Sequence, residues 1–266
     1  MNSETFEDLI YERQGQVAVL TFNRPTRMNA MGNKLKEEIP RAMQRAEVDP
    51  DVRAIVITGA GAAFCAGGDV KEMSEARAAG GRSLKEKTQP SRDAALLAIY
   101  EARKPVIAAV NGAAAGAGMN LALAADIRVA STTARFSQAF VKRGLPPDTG
   151  GTYLLPRVVG LAKACELTFT GDTIDAAEGL RLGVVSRVVA PEELMAVSLE
   201  LAKRIAEGPP VAITLCKQSL YRGIDGSLRD ALARETAAFN VCAETEDANE
   251  GLVAFFEKRP PRFQGR

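Results

Sequence analysis

Two hydrophobic periodicities alternate along the first 190 residues of this chain. Short β-rich runs at 17–22, 54–58, 106–110, 127–130 and 184–189 are separated by helix-patterned segments at 34–47, 91–102 and 117–125. Strands that alternate with helices predict an α/β fold with right-handed crossovers. Each β-rich run is evenly apolar rather than alternating, which predicts strands covered on both faces. Beyond Val189 the strand pattern stops. Segments 191–207, 210–222, 228–242 and 246–258 are helical in period, with turn signals at Gly208-Pro209-Pro210 and at 223–226. The switch divides the chain into an α/β core, 1–190, and an all-helical region, 191–266. The apolar residues Leu232, Phe239, Leu252, Phe255 and Phe256 have too little sequence around them for a core of their own. They are expected to pack on the main body or on a neighbouring subunit. Residues 76–90, rich in Ala, Gly, Arg and Lys, are expected to form a mobile loop.

Composition narrows the chemistry. The chain has 266 residues, 46% of them apolar and 25% charged, so it can bury a large core without disulfides or metals. With 34 basic and 33 acidic residues, nothing in its charge predicts a nucleic-acid partner or a membrane surface. Cys65, Cys165, Cys216 and Cys242 form no CxxC pair and read as free thiols in a reducing compartment. Histidine is absent, which excludes Ser-His-Asp and Cys-His catalysis and any His-bearing zinc site. Proton transfer must then use a carboxylate, Lys, Tyr, Cys or water. Residues 1–12 are polar and acidic, unlike a signal peptide. The longest apolar stretch, 105–125, is interrupted by Asn111, Asn120 and glycines. These features together predict a cytoplasmic protein.

Three stretches carry candidate chemistry. In 62–73, Cys65-Ala66-Gly67-Gly68-Asp69 follows a strand and enters a helix. Small residues there allow a ligand close to the backbone, and N–H groups at a helix start are free to donate. Gly59-Ala60-Gly61 just upstream lacks the spacing of a dinucleotide fingerprint. In 104–126 a strand runs into a helix whose first turn reads Gly116-Ala117-Gly118. Glycines there cost about 1 kcal/mol each relative to Ala, which points either to close backbone approach or to tight helix–strand packing. In 136–157, Asp148 follows two prolines and precedes Thr149-Gly150-Gly151, a position where it could simply cap the next helix.

These stretches resemble the crotonase (enoyl-CoA hydratase/isomerase) family. The second is similar to its signature, and Ala66-Gly67-Gly68-Asp69 to its Ala-Gly-x-Asp loop. Residues 23–31 are similar to its early coenzyme-A loop, 146–151 to its Pro-x-x-Gly-Gly helix entry, and 250–259 to its last helix. The matches occur in order across nearly the whole chain. The resemblance implies a crotonase (ClpP/crotonase-like) α/β spiral of ββα units with an all-helical C-terminal trimerisation region, assembled as a homotrimer or a hexamer. It implies an acyl-CoA substrate, with coenzyme A present only as part of the thioester, no permanently bound cofactor and no metal. It maps an oxyanion hole onto the backbone N–H of Gly68 and Ala117. Arg27, Met28 and Ala30 would meet the nucleotide, with Ala66, Asp69 and Val70 on the opposite side.

The same resemblance locates a departure. The glutamates with which hydratases of the family activate water align here with Asn120 and Phe140, and neither can exchange a proton. Asp148 is the acidic residue left at an aligned position. Ala114-Ala115-Gly116-Ala117-Gly118, Phe140 in place of a glutamate, and Pro147-Asp148-Thr149-Gly150-Gly151-Thr152 resemble isomerases of ring-1,2-epoxidised phenylacetyl-CoA within the family. Asp148 is therefore expected to be the base of an acyl-CoA isomerase, desolvated by Phe140, Leu145, Pro146 and Pro147, with Asn120 orienting the acyl group. A hydratase using Asn120 and Asp148, or an inactive acyl-CoA-binding homologue, are the alternatives.

Overall fold

The computed structural model describes residues 5–32, 34–78 and 83–266. Among the described residues, ten strands form two sheets. The larger has six strands in the order β1 (Leu9–Gln14), β2 (Val17–Phe22), β3 (Ala54–Gly59), β5 (Val106–Val110), β7 (Ile127–Ser131) and β10 (Arg187–Val189). Only the β1–β2 hairpin is antiparallel; every other pair in this sheet is parallel. The smaller sheet runs β4 (Ala63–Cys65), β6 (Ala113–Ala115), β8 (Arg135–Ser137) and β9 (Thr173–Asp175). Consecutive pairs β3–β4, β5–β6 and β7–β8 each contribute one strand to each sheet before the chain turns into helix. Repeating that step generates a spiral of ββα units, as the resemblance implies.

Both faces of the large sheet are covered, as its evenly apolar strands require. Along β3, Ile55 and Ile57 point into one cluster with Phe22, Phe64 and Val106, and Val56 points into the other with Val17, Val19 and Ile107. The first cluster is closed by α1 (Leu35–Val48), α3 (Ser83–Tyr100) and α4 (Ala117–Ala124). The second is closed by α8 (Leu194–Ala206) through Leu194, Leu201, Ala202 and Ala206. The change of period at 190 thus coincides with the end of the last strand, while α8, just beyond it, belongs to the sheet's core.

Two further elements differ from the sequence expectation. Segment 76–90 is helical wherever it is described: α2 (Val70–Ala78) reaches Ala78 and α3 starts at Ser83, while 79–82 lies outside the described residues. Its Ala, Lys and Glu are strong helix formers, and that propensity prevails over the loop-like composition. The strand expected from Val184 starts only at Arg187, because Val184 and Val185 are buried in the first cluster before pairing begins.

Helices α5 (Gly151–Val159), α6 (Leu161–Thr170) and α7 (Ala176–Arg181) complete the body. The last three, α9 (Pro210–Ile224), α10 (Leu228–Ala243) and α11 (Glu246–Glu257), bury few residues. Phe239, Phe255 and Phe256 are 72%, 77% and 79% exposed, so the apolar faces of this region are open in the single chain. No described helix is long and apolar enough to cross a membrane.

Candidate active site

Two turns meet because β4 and β6 pair in parallel, Cys65 opposite Ala114. Each strand runs straight into a turn, 66–69 after β4 and Gly116 after β6. Gly116 adopts φ 52°, ψ −123°, donates to the Ser137 carbonyl at 2.8 Å, and starts α4 at Ala117. A Cβ on Gly67 would lie 2.6 Å from the Ala115 oxygen and 3.5 Å from the Ala117 nitrogen. A Cβ on Gly118 would lie 1.9 Å from the Cys65 oxygen. Glycine at 67 and 118 is therefore what lets α4 sit on the 65–68 turn, and close approach is the reason for the costly Gly-Ala-Gly start. Ala117 is the first residue of its helix, so its N–H has no acceptor within it. Among the described residues, no hydrogen bond from the N–H of Gly68 or Ala117 is found.

Asp148 is linked to these turns through two residues, Arg92, which also lies against Gly68, and Asn120 of α4. Its carboxylate is 3.5 Å from Nη1 of Arg92 and accepts from the Thr149 hydroxyl at 2.9 Å. It does not cap α5: the cap residue is Gly150, with no side-chain bond. Its backbone carbonyl accepts from Asn120 Nδ2 at 2.8 Å and from the Gly151 N–H at 3.2 Å. Asn120 Oδ1 in turn accepts from Gln138 Nε2 at 2.8 Å. A carbonyl can only accept, so this chain fixes which way both amides point. Thr149 has φ 51° and is only 2% exposed, a left-handed conformation that a β-branched residue adopts at a cost of about 1–3 kcal/mol.

The expected apolar enclosure of Asp148 is not what surrounds it. Pro146 is exposed, Leu145 and Pro147 are half-buried, and Phe140 lies against Gly116, its ring 3.3 Å from where a Cβ would be. The partners of the carboxylate are a guanidinium and a hydroxyl.

The early loop is tied to the 66–69 turn by Arg24, which the sequence reading passed over. Its guanidinium bonds the Ala30 carbonyl at 2.6 Å and Asp69 at 3.0 Å, and lies within 3.5 Å of Asp8 and Glu72. Asp69 is 5% exposed and also caps α2, accepting from the N–H of Lys71 and Glu72. Burial pushes its carboxyl upward, but the Glu72 N–H and Arg24 outweigh this and hold it below the usual carboxylate range. Its side chain is thus spent on structure. Met28 and Ala30 have both backbone groups engaged: Met28 donates to Pro25 and accepts from Ala66, while Ala30 donates to Arg27 and accepts from Gly32 and Arg24. Only the second lone pair of the Met28 carbonyl remains for a ligand. Arg27 is exposed with no ion pair among the described residues, and Met28 and Val70 are 49% and 47% exposed. Cys65, fully buried, has its thiol pushed up to about 12 by burial, which makes it inert.

Arg92 is the other residue missed. It is 6% exposed, on the inward face of α3 with Ala95, Leu96 and Ile99. A charge at i on an apolar i+3, i+4, i+7 stripe was the available signal.

The family model described as enoyl-CoA hydratase/isomerase matches residues 12–266. A short-chain-enoyl-CoA hydratase from Clostridium acetobutylicum is 43% identical over 95% of each chain. A 2,3-dehydroadipyl-CoA hydratase from Escherichia coli is 38% identical over 97% of this chain and 99% of its own. The crystal structure of an enoyl-CoA hydratase from Bacillus anthracis superposes with a TM-score of 0.93 at 33% identity, over 98% of this chain and all of the other. Similarity of that extent, over a two-sheet spiral of ββα units, assigns the chain: it belongs to the enoyl-CoA hydratase/isomerase family.

Proposed function

We propose that this enzyme is an acyl-CoA isomerase, shifting a double bond or rearranging a ring epoxide in an unsaturated thioester, with Asp148 as its base. The observation that carries the reading is the state of three aligned positions. Asn120 is committed to the Asp148 backbone and Gln138, Phe140 packs on Gly116, and only Asp148 can ionise. With the thioester oxygen between the Gly68 and Ala117 N–H groups, negative charge building there is stabilised. One such donor is typically worth about 10²–10³ in rate. That stabilisation acidifies the carbon beside the thioester and, through a double bond, the vinylogous carbon. One base can then take a proton from the first and return it to the second. Exposed Arg27 would meet the phosphates of coenzyme A.

Asp148→Asn keeps the shape and the Thr149 contact but removes basicity. Turnover of an enoyl-CoA should fall by about 10²–10⁴, with acyl-CoA affinity by calorimetry little changed. Near-normal turnover of this variant would remove Asp148 from the chemistry. The hydratase reading keeps one specific support, the names of the relatives. Mass spectrometry of products formed in D₂O separates the two. Deuterium uptake without the mass of a water marks isomerisation; gain of a water marks hydration.

A further inference from the structure

We infer that Arg92 is the positioning residue of the reaction, holding the Asp148 carboxylate at the working distance from the Gly68 donor; this rests on the reading of Asp148 as base. The argument begins with cost. A guanidinium on the apolar stripe of a helix, 6% exposed, is retained against the penalty of burying a charge. Its local reward is small. Among the described residues, Nε of its five N–H donors is buried without a partner, and its one ion pair is long, 3.5 Å from an Asp148 side chain that is 27% exposed. A side chain placed for stability alone would make better use of its donors.

What Arg92 does instead is span two parts of the site. Nη1 faces Asp148, and Nη2 lies 3.1 Å from where a Cβ of Gly68 would be. A single rigid planar group thus touches the turn that carries the oxyanion donor and the carboxylate that moves the proton. The helix that carries it is itself fixed at both ends of this reach. Ala95 and Ile99 are fully buried, and Leu96 lies 2.5 Å from where a Cβ of Gly150 would be, against the same turn that carries Asp148. Asp148 has the Thr149 hydroxyl on its Oδ1 and Arg92 on its Oδ2. Removing Arg92 leaves Oδ2 without a protein partner among the described residues and lets the carboxylate rotate. A misplacement of about 1 Å can cost on the order of 10²-fold in rate. Lys would restore the charge but not the planar span.

The test is a cycle of Arg92→Gln, Asp148→Asn and the double variant, with kcat, KM and melting temperature measured on each. Arg92→Gln should lower kcat by about 10²-fold with KM little changed, Arg92→Lys should recover only part of the loss, and added methylguanidinium should partly rescue Arg92→Gln. The double variant should be no slower than Asp148→Asn alone, because Arg92 acts through Asp148. Normal kcat in Arg92→Gln beside a crippled Asp148→Asn overturns this inference and leaves the base intact. Normal kcat in Asp148→Asn overturns the base, whatever Arg92→Gln does. Additive losses in the double variant show that Arg92 acts independently of Asp148 and also overturn the inference. Should Arg92→Gln not fold, the same comparison is made with Arg92→Lys, for which undiminished kcat counts against the planar span.

Discussion

Replacing Gly118 by Ala tests the contact on which the donor pair depends. Near the start of an ordinary helix the change would stabilise by about 1 kcal/mol. Here the new Cβ would sit 1.9 Å from the Cys65 oxygen and 2.9 Å from the Cys65 Cβ, where real Cβ atoms stay beyond 3.0 Å. Opening the first contact from 1.9 to at least 3.0 Å moves α4 and β4 apart by about 1.1 Å. Neither side is free to move: β4 is paired to β6, and all eight residues of α4 are buried. Overpacking costs about 1–3 kcal/mol, occasionally more, and a 1.9 Å clash with a backbone oxygen belongs to the upper part of that range, about 2–3 kcal/mol, so the propensity gain of about 1 kcal/mol is reversed to a net loss of about 1–2 kcal/mol. At about 2–4 °C per kcal/mol for a chain of this size, melting should fall by about 2–8 °C. Ala117 is the neighbouring residue, so its N–H shifts relative to Gly68 by a comparable distance, and kcat should fall on the order of 10²-fold. Calorimetry and initial rates on purified enzyme give both numbers. A variant that melts at or above the wild type refutes the close approach; one that loses stability but keeps kcat refutes the link between the seat of α4 and the donors.

Gly223→Ala supplies the opposite sign: nothing lies within 4 Å of its Cβ direction near the end of α9, so melting should rise, by up to about 1 kcal/mol of stability. The Cys65 thiol ionises near 9 when unfolded and near 12 when folded, so between those values the unfolded state binds fewer protons and stability falls as pH rises. The loss should reach about 4 kcal/mol by pH 12 and be absent in Cys65→Ala, as read by urea titrations at pH 8 to 11. Thr149→Ala removes the hydroxyl on Asp148 and should slow turnover about tenfold, the worth of a charge-assisted hydrogen bond, while Thr149→Ser should keep it. Light scattering should give three or six times the 28.3 kDa chain mass, and Phe255→Glu with Phe256→Glu should lower it, because those exposed rings need a partner surface; a single-chain mass for the wild type would refute the assembly.

The sequence displayed its long-period elements most clearly. Strands β2 and β5 fall where an evenly apolar run of five or six residues places them, and α9, α10 and α11 where period and Gly-Pro punctuation place them. The three-residue strands of the small sheet, β4, β6, β8 and β9, were invisible, because so short a segment shows no period. The Gly-rich turns were visible as costs, since a glycine at a helix start has to be explained. Their partners were not: Cys65 approaches Gly118, and Phe140 approaches Gly116, across separations that only the β4–β6–β8 pairing closes. Arg24 and Arg92 escaped for a related reason. Each is a single charge whose carboxylate partners lie far along the chain, Asp69 for the one and Asp148 for the other.

The placement of α8 has a consequence for synthesis. Val17, Val19 and Val56 leave the ribosome early, yet the helix that covers them ends at Ala206, 147 residues after the close of β3 at Gly59. At about 5–20 residues per second, that apolar face of the nascent sheet waits roughly 7–30 s for its cover. During that interval it presents Val17, Val19 and Val56 to water and to other nascent chains. Holdase chaperones that bind exposed apolar strands should therefore engage this protein early in translation, and release it once α8 has docked.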